Sequence, residues 1–202
     1  YLISSSAITN LYIGTISFPN TWTSANFPKS NYTSGDAAGL FIVDANNNII
    51  NSNIKLSYDG SSWRHLSALK YSPKNKYFLY YPYQTTLNGT LNSSANDAAT
   101  FFANVVNNWS ISTTSTVDNL KSEDLQYAMG TISTTNASTV DFSMAHGMGL
   151  AKIILGSKSM SNTITYDGNT NTEKNRTGTV NTYASSSFNG KIPYMTSNYN
   201  YI

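Results

Sequence analysis

Cysteine is absent from all 202 residues, which excludes disulfides, thiolate-ligated zinc and thiol nucleophiles together. Charge is nearly as scarce: 12 Lys and Arg face 10 Asp and Glu, 11% of the chain, for a net charge of +2. So thin and balanced a distribution leaves no electrostatic footprint for nucleic acid or for an anionic membrane surface. Histidine occurs only at His65 and His146, and arginine only at Arg64 and Arg176. Lys29 is the sole basic residue of the first forty. No apolar run approaches the ~20 residues of a membrane-spanning helix, and no signal-peptide pattern is present. The start at Tyr1 is expected of a mature form whose targeting segment has been removed.

What fills the chain instead is Ser, Thr and Asn, roughly two-fifths of it where an ordinary globular protein has about a fifth. A surface of this kind is neutral yet well hydrated, and suits exported repeating assemblies in which like charges would repel. Disorder does not follow, because hydrophobic residues reach 40% and aromatics 13%, with fifteen Tyr gathered into runs. The length is ample for one large β domain or two small ones.

Strand patterns dominate. Leu11–Phe18 places Leu11 and Ile13 on one face and Ile16 and Phe18 on the other, so a register break is expected near Gly14. Strands are expected at Gly39–Val43, Ile49–Ile50, Ile54–Tyr58 and Ser62–Leu66, the last two joined by an Asp59-Gly60 turn. Lys76–Tyr83 is an aromatic run stopped by Pro82. Val140, Phe142, Met144, His146, Met148 and Leu150 alternate, which predicts one strand over Val140–Leu155. A single segment breaks the β pattern: in Ala98–Trp109, Phe101, Val105 and Trp109 recur four apart on one helix face, with Asp97 placed as N-cap. A polar stretch over Ser110–Lys121 follows, and a linker is expected at Thr131–Thr139.

Chemical sites are hard to find. His146 lies on the apolar face of its strand, with no Ser or Asp placed by local sequence to form a triad, and reads as a core or interface histidine. Asp44-Ala-Asn46-Asn-Asn48 imitates the start of a calcium loop but has Ile49 and Lys55 where Gly and Glu are required, and reads as a turn. Gly147-x-Gly149 has no helix start after it and carries no phosphate-loop signal. No catalytic residue, cofactor site or metal site is assigned. The Tyr-rich runs at Tyr77–Tyr83 and Tyr194–Tyr201 suit a sheet, although in a groove such rings would stack on sugars.

The order of several phrases carries more information than any one of them. GDAAGLFIV (Gly35–Val43), YDGSSW (Tyr58–Trp63), YFLYYPY (Tyr77–Tyr83), FFANVVNNW (Phe101–Trp109), SEDLQYAMG (Ser122–Gly130), VDFSMAHGMGLAKIIL (Val140–Leu155) and FNGKIPYMTSNYNYI (Phe188–Ile202) follow one another. In that order they resemble the fimbrillin-like (Mfa-like, FimA-type) pilus subunits of Bacteroidales. The departures are local: the family's "SDLL" is Glu123-Asp124-Leu125-Gln126 here, and Gly147 and Gly149 replace small residues.

The resemblance implies an all-β fold with one short helix. It implies two tandem transthyretin-like, Greek-key β-sandwich domains, at 1–135 and 140–202, the second incomplete in this chain. It further implies a subunit of a surface pilus in cell adhesion, at the outer membrane or in an extracellular fimbria, with a membrane link only through a precursor lipid anchor. Its partners would be other pilin subunits and a host surface protein or glycan, with no cofactor and no nucleic acid. Assembly in the family proceeds by β-strand addition: a proteinase trims the N-terminal strand and a neighbour's strand fills the vacated groove. That role falls on Leu11, Ile13, Ile16 and Phe18 as pocket fillers, although no arginine marks a cleavage point in this region. The alternative reading is a surface glycan-binding lipoprotein that uses exposed aromatics on a β-sandwich.

Overall fold

A computed structural model of the chain describes residues 9–19, 29–112 and 116–149, together with the backbone of short strands beyond them. Two compact units emerge: Tyr1–Trp109 with Asp124–Met148, and Ser110–Glu123 with Gly149–Ile202. The first contains strands β1 (Tyr12–Ser17), β2 (Ala37–Val43), β3 (Ile49–Tyr58), β4 (Trp63–Arg64) and β5 (Lys76–Tyr81), then helices α1 (Ala98–Phe101) and α2 (Ala103–Asn107). After α3 (Val117–Ser122) of the second unit, it resumes with β6 (Gln126–Met129), β7 (Thr131–Ile132), β8 (Thr139–Ser143) and β9 (Ala145–His146).

A six-stranded antiparallel sheet, in the order β4-β3-β2-β5-β6-β9, forms the middle layer. Its centre explains the continuous apolar runs of the sequence, because a strand covered on both faces has no polar alternation to show. Every residue from Ala38 to Val43 and from Tyr77 to Tyr81 is buried. Alternate side chains feed two cores. Leu40, Ile42, Tyr77, Leu79 and Tyr81 meet Leu11, Ile16, Val140, Phe142 and Met144 from a second sheet, β1-β8-β7. Phe41, Val43, Phe78 and Tyr80 meet Phe101, Phe102, Val105 and Leu125 on the other side. There the rings of Phe78 and Phe101 stack with centroids 3.9 Å apart.

The helical segment forms where the spacing predicts it. The Asp97 carboxylate accepts the Thr100 N–H at 2.7 Å and caps α1. The helix breaks at Phe102, whose backbone leaves helical geometry (φ −97, ψ 8). Successive helix residues point about 100° apart, and the break lets both Phe101 and Phe102 enter the core fully. A third helix, α3, lies in the stretch the sequence shows only as polar; Thr116 caps it, with Asp118 in its first turn and Lys121 in its last. The expectation of one short helix thus becomes three short helices among the described residues.

The strand expected over Val140–Leu155 divides into β8, β9 and, in the second unit, β10 (Lys152–Ile154). Val140, Phe142, Met144 and His146 do share a buried face. Alternation then ends: Met148 packs with the Phe41–Phe101 core on the other side of the six-stranded sheet. The residues between β7 and β8 form the connection of an antiparallel hairpin. The Asp59-Gly60 hairpin is as read, with Gly60 at φ +100, where an L side chain is strained. Ile49–Tyr58 is a single strand rather than two, with Asn53 at φ +49 inside it.

The second unit also holds β11 (Ile164–Tyr166), β12 (Asn171–Thr172), β13 (Val180–Thr182), β14 (Tyr194–Met195) and β15 (Tyr199–Tyr201). They form two small sheets, β10-β15-β14 and β12-β11-β13. β11 pairs antiparallel with β12 and parallel with β13. Among the described residues no helix is long and apolar enough to cross a membrane.

Candidate functional site: an edge strand beside an aromatic cleft

The four residues singled out near the N-terminus lie on or beside β1. Among the described residues this strand stands at the edge of its sheet and pairs with β8 alone, in parallel, a geometry slightly weaker per residue than antiparallel pairing. Register passes from Ile13↔Val140 to Ile16↔Phe142, so three steps on β1 match two on β8. The extra residue is a bulge at Gly14–Thr15, and it resolves the split faces of the sequence. Leu11 and Ile16 are 2% and 8% exposed, and Ile13 is half-buried against the same core. Phe18 sets its ring edge-on to Tyr32 at 5.1 Å and to His146 at 6.3 Å.

Before β1 the chain is held by Tyr71 N–H to Thr9 C=O at 2.9 Å and Leu11 N–H to Leu69 C=O at 2.8 Å; after it, Met144 N–H donates to Ser17 C=O at 3.2 Å.

Beside β1 opens a cleft of about 410 Å³, lined by Ile16, Phe18, Tyr32, Tyr58 and Trp63 with Asn31, Ser61 and Ser62. Tyr32 meets Trp63 edge-on at 5.1 Å, and Tyr58 lies tilted against the same indole at 5.1 Å. Two buried polar chains fix the Tyr32 side. The Tyr32 hydroxyl donates to Gln126 Oε1 at 2.7 Å, Gln126 Nε2 donates to Asp124 Oδ2 at 2.6 Å, and Asp124 Oδ1 lies 2.7 Å from His146 Nδ1. Next to them Lys29 Nζ reaches Asp36 at 2.6 Å and the Tyr81 hydroxyl at 2.8 Å, while that hydroxyl donates to Asp36 at 3.0 Å. Burial, then the neighbouring Tyr81 and the charges of Asp124 and Asp36, pushes the Tyr32 hydroxyl far above the ordinary tyrosine range. Burial and then Asp36 do the same to Tyr81.

This network is what sequence reasoning missed. Asp124 and His146 are 22 residues apart and meet across the β6–β9 pairing, a long-range contact with no local signal. One clue was present. Gln126 stands at the polar departure from the "SDLL" phrase, and it is fully buried because both Tyr32 and Asp124 bind it.

Other motifs resolve as packing or turns. The Asp44 carboxylate accepts the N–H groups of Asn46 and Asn48 at 2.8 and 2.9 Å, the turn that the spacing indicates. A Cβ on Gly147 would lie 2.8 Å from the Tyr127 ring, so that glycine serves close packing. Tyr77, Tyr80 and Tyr81 are core residues; burial pushes the Tyr80 hydroxyl up to about 12. No group of three or more His, Asp or Glu suited to a metal occurs among the described residues.

No protein-family profile matches the chain, and no curated protein matches it. Among solved structures, a fimbrial protein from Bacteroides ovatus superposes with a TM-score of 0.61 at 20% identity, over 96% of this chain. The chain spans 41% of that protein's length. A candidate cell adhesion protein from Bacteroides uniformis aligns at a TM-score of 0.43 and 19% identity, over 82% of this chain and 55% of that one. The chain therefore has the fold of a Bacteroides fimbrial protein, consistent with the fimbrillin-like family that its ordered phrases resemble.

Proposed function

We propose that this chain is a structural subunit of a bacterial surface pilus that mediates adhesion, assembled by β-strand addition between subunits. The observation that carries the reading is β1: among the described residues an edge strand paired on one side only, with Leu11 just before it and Ile16 on it nevertheless buried in the core. Removal of such a strand uncovers a ladder of backbone groups and a row of apolar pockets, which together form a template for another strand. The fold shared with a fimbrial protein supports the same reading.

The proposal includes two tandem transthyretin-like, Greek-key domains, with the division expected between 135 and 140. The described strands β8 and β9 lie within the first unit, paired with β1 and β6. It also includes a location at the cell surface, an outer-membrane lipoprotein precursor as source, and other pilin subunits as partners. Work of this kind is binding and assembly, not catalysis.

Limited proteolysis between Pro19 and Lys29, followed by size-exclusion chromatography and electron microscopy, tests the reading. Ladders or filaments are expected once β1 is released. A trimmed chain that stays monomeric, or unfolds, overturns strand addition at β1 and directs the search to sugars at the Tyr32–Trp63 cleft.

A further inference from the structure

We infer that the groove beneath β1 selects its strand by a glycine, with Asp141 and Thr139 as the selecting side chains; this rests on strand exchange at β1. A Cβ at position 14 would lie 2.1 Å from Asp141 Oδ1 and 2.8 Å from Thr139 Cγ2. Both are far inside van der Waals contact, and Thr139 is itself buried. The φ angle of Gly14 is outside the left-handed region, so space alone, and not backbone freedom, calls for glycine here.

The same carboxylate has a second task. At the bulge, Thr15 N–H leaves the ladder and donates to Asp141 Oδ1 at 2.7 Å. One oxygen atom therefore satisfies the amide that the bulge orphans and occupies the volume of the preceding side chain. A strand that enters in the wrong register sets an apolar side chain against that carboxylate and leaves its own amides unpaired.

The acceptable strand runs parallel to β8 and carries apolar residues at −3, −1, +2 and +4 around one glycine, as Leu11, Ile13, Ile16 and Phe18 surround Gly14. None of the other glycines in the chain has all four neighbours apolar. The occupant that fits is therefore a strand of another pilin subunit with this spacing, for which residues 9–19 serve as the probe.

The test keeps the whole chain. A specific protease site placed within residues 20–28 is cut, which leaves β1 seated without a covalent link. Labelled peptides of residues 9–19 then compete for the groove, and their incorporation is read by native mass spectrometry. The native peptide is expected to exchange in, and a Thr15→Ala peptide to match it, because only the backbone amide is used. A Gly14→Ala peptide should bind about 100-fold more weakly than the native one; on a Thr139→Ser/Asp141→Ala acceptor both peptides lose the Thr15 amide's partner, and the gap between them should largely close. Equal binding of the native and Gly14→Ala peptides overturns the selection and leaves strand exchange standing. An equal deficit of the Gly14→Ala peptide on both acceptors also overturns it, since the cost would then lie in the peptide. If no peptide enters a nicked chain that retains its thermal transition, strand exchange itself fails. Should the double acceptor variant not fold, the comparison of native and Gly14→Ala peptides on the unaltered groove still decides.

Discussion

The centre of the six-stranded sheet and the strand β1 both bury apolar side chains, yet they hold them in different ways. β2 and β5 have a partner strand on each side and a core on each face. β1 has one parallel partner, one core face, and a bulge in the middle of its pairing. Burial alone therefore does not measure how firmly a strand is kept. The number of neighbours decides whether a strand leaves only by global unfolding or by a local opening.

Loss of the ring that anchors the helices on the central sheet should have the largest effect. Phe101→Ala removes a fully buried partner of Phe78 and is expected to cost about 3–5 kcal/mol in urea unfolding. Protection of β2 and β1 amides should fall together, because the whole unit is weakened. Ile16→Ala comes next, at about 2 kcal/mol, the low end for such truncations. Here native-state hydrogen exchange should accelerate in β1 well before β2 or β5. Equal acceleration in all three strands would falsify the contrast drawn between them.

A third effect depends on pH. Tyr32 and Tyr81 hold their protons far above the ordinary tyrosine value in the folded chain, whereas unfolded tyrosines lose them near about pH 10. Above that pH the native state binds more protons than the unfolded one, so stability falls as pH rises. Below it, the contribution is complete. The expected loss is roughly 3–6 °C of Tm between pH 9 and 11, with a shallower slope in Tyr32→Phe; a flat profile would remove the Tyr32–Gln126 hydrogen bond as a constraint on the β1 side. The smallest effect is Asp97→Ala, about 1 kcal/mol from the lost cap, with β1 exchange unchanged.

Much of this architecture was legible because it is local. The Asp97 cap, the Asp59-Gly60 turn and the Phe101/Val105 spacing each depend on residues within a few positions of one another. The register break near Gly14 was legible too, since apolar residues changed face there. Its cause was not, because Asp141 comes 126 residues after the amide that it binds. The Asp124–His146 pair was hidden for the same reason. Helix α3 was missed because its short polar sequence has no apolar stripe to mark it. The Val140 strand ends at His146, although alternation continues in the letters, because Met148 packs in the other core.

Lys29, the sole basic residue of the first forty, ties the chain down again after β1. Its ammonium is held by Asp36 and Tyr81, while Phe18 is held by Tyr32 and His146 on the other side of residues 20–28. A cut between these two anchor points breaks the chain without freeing either end. Under the proposed strand addition, processing and departure of the strand would be separate events, and a subunit cleaved there would stay closed for as long as β1 takes to dissociate.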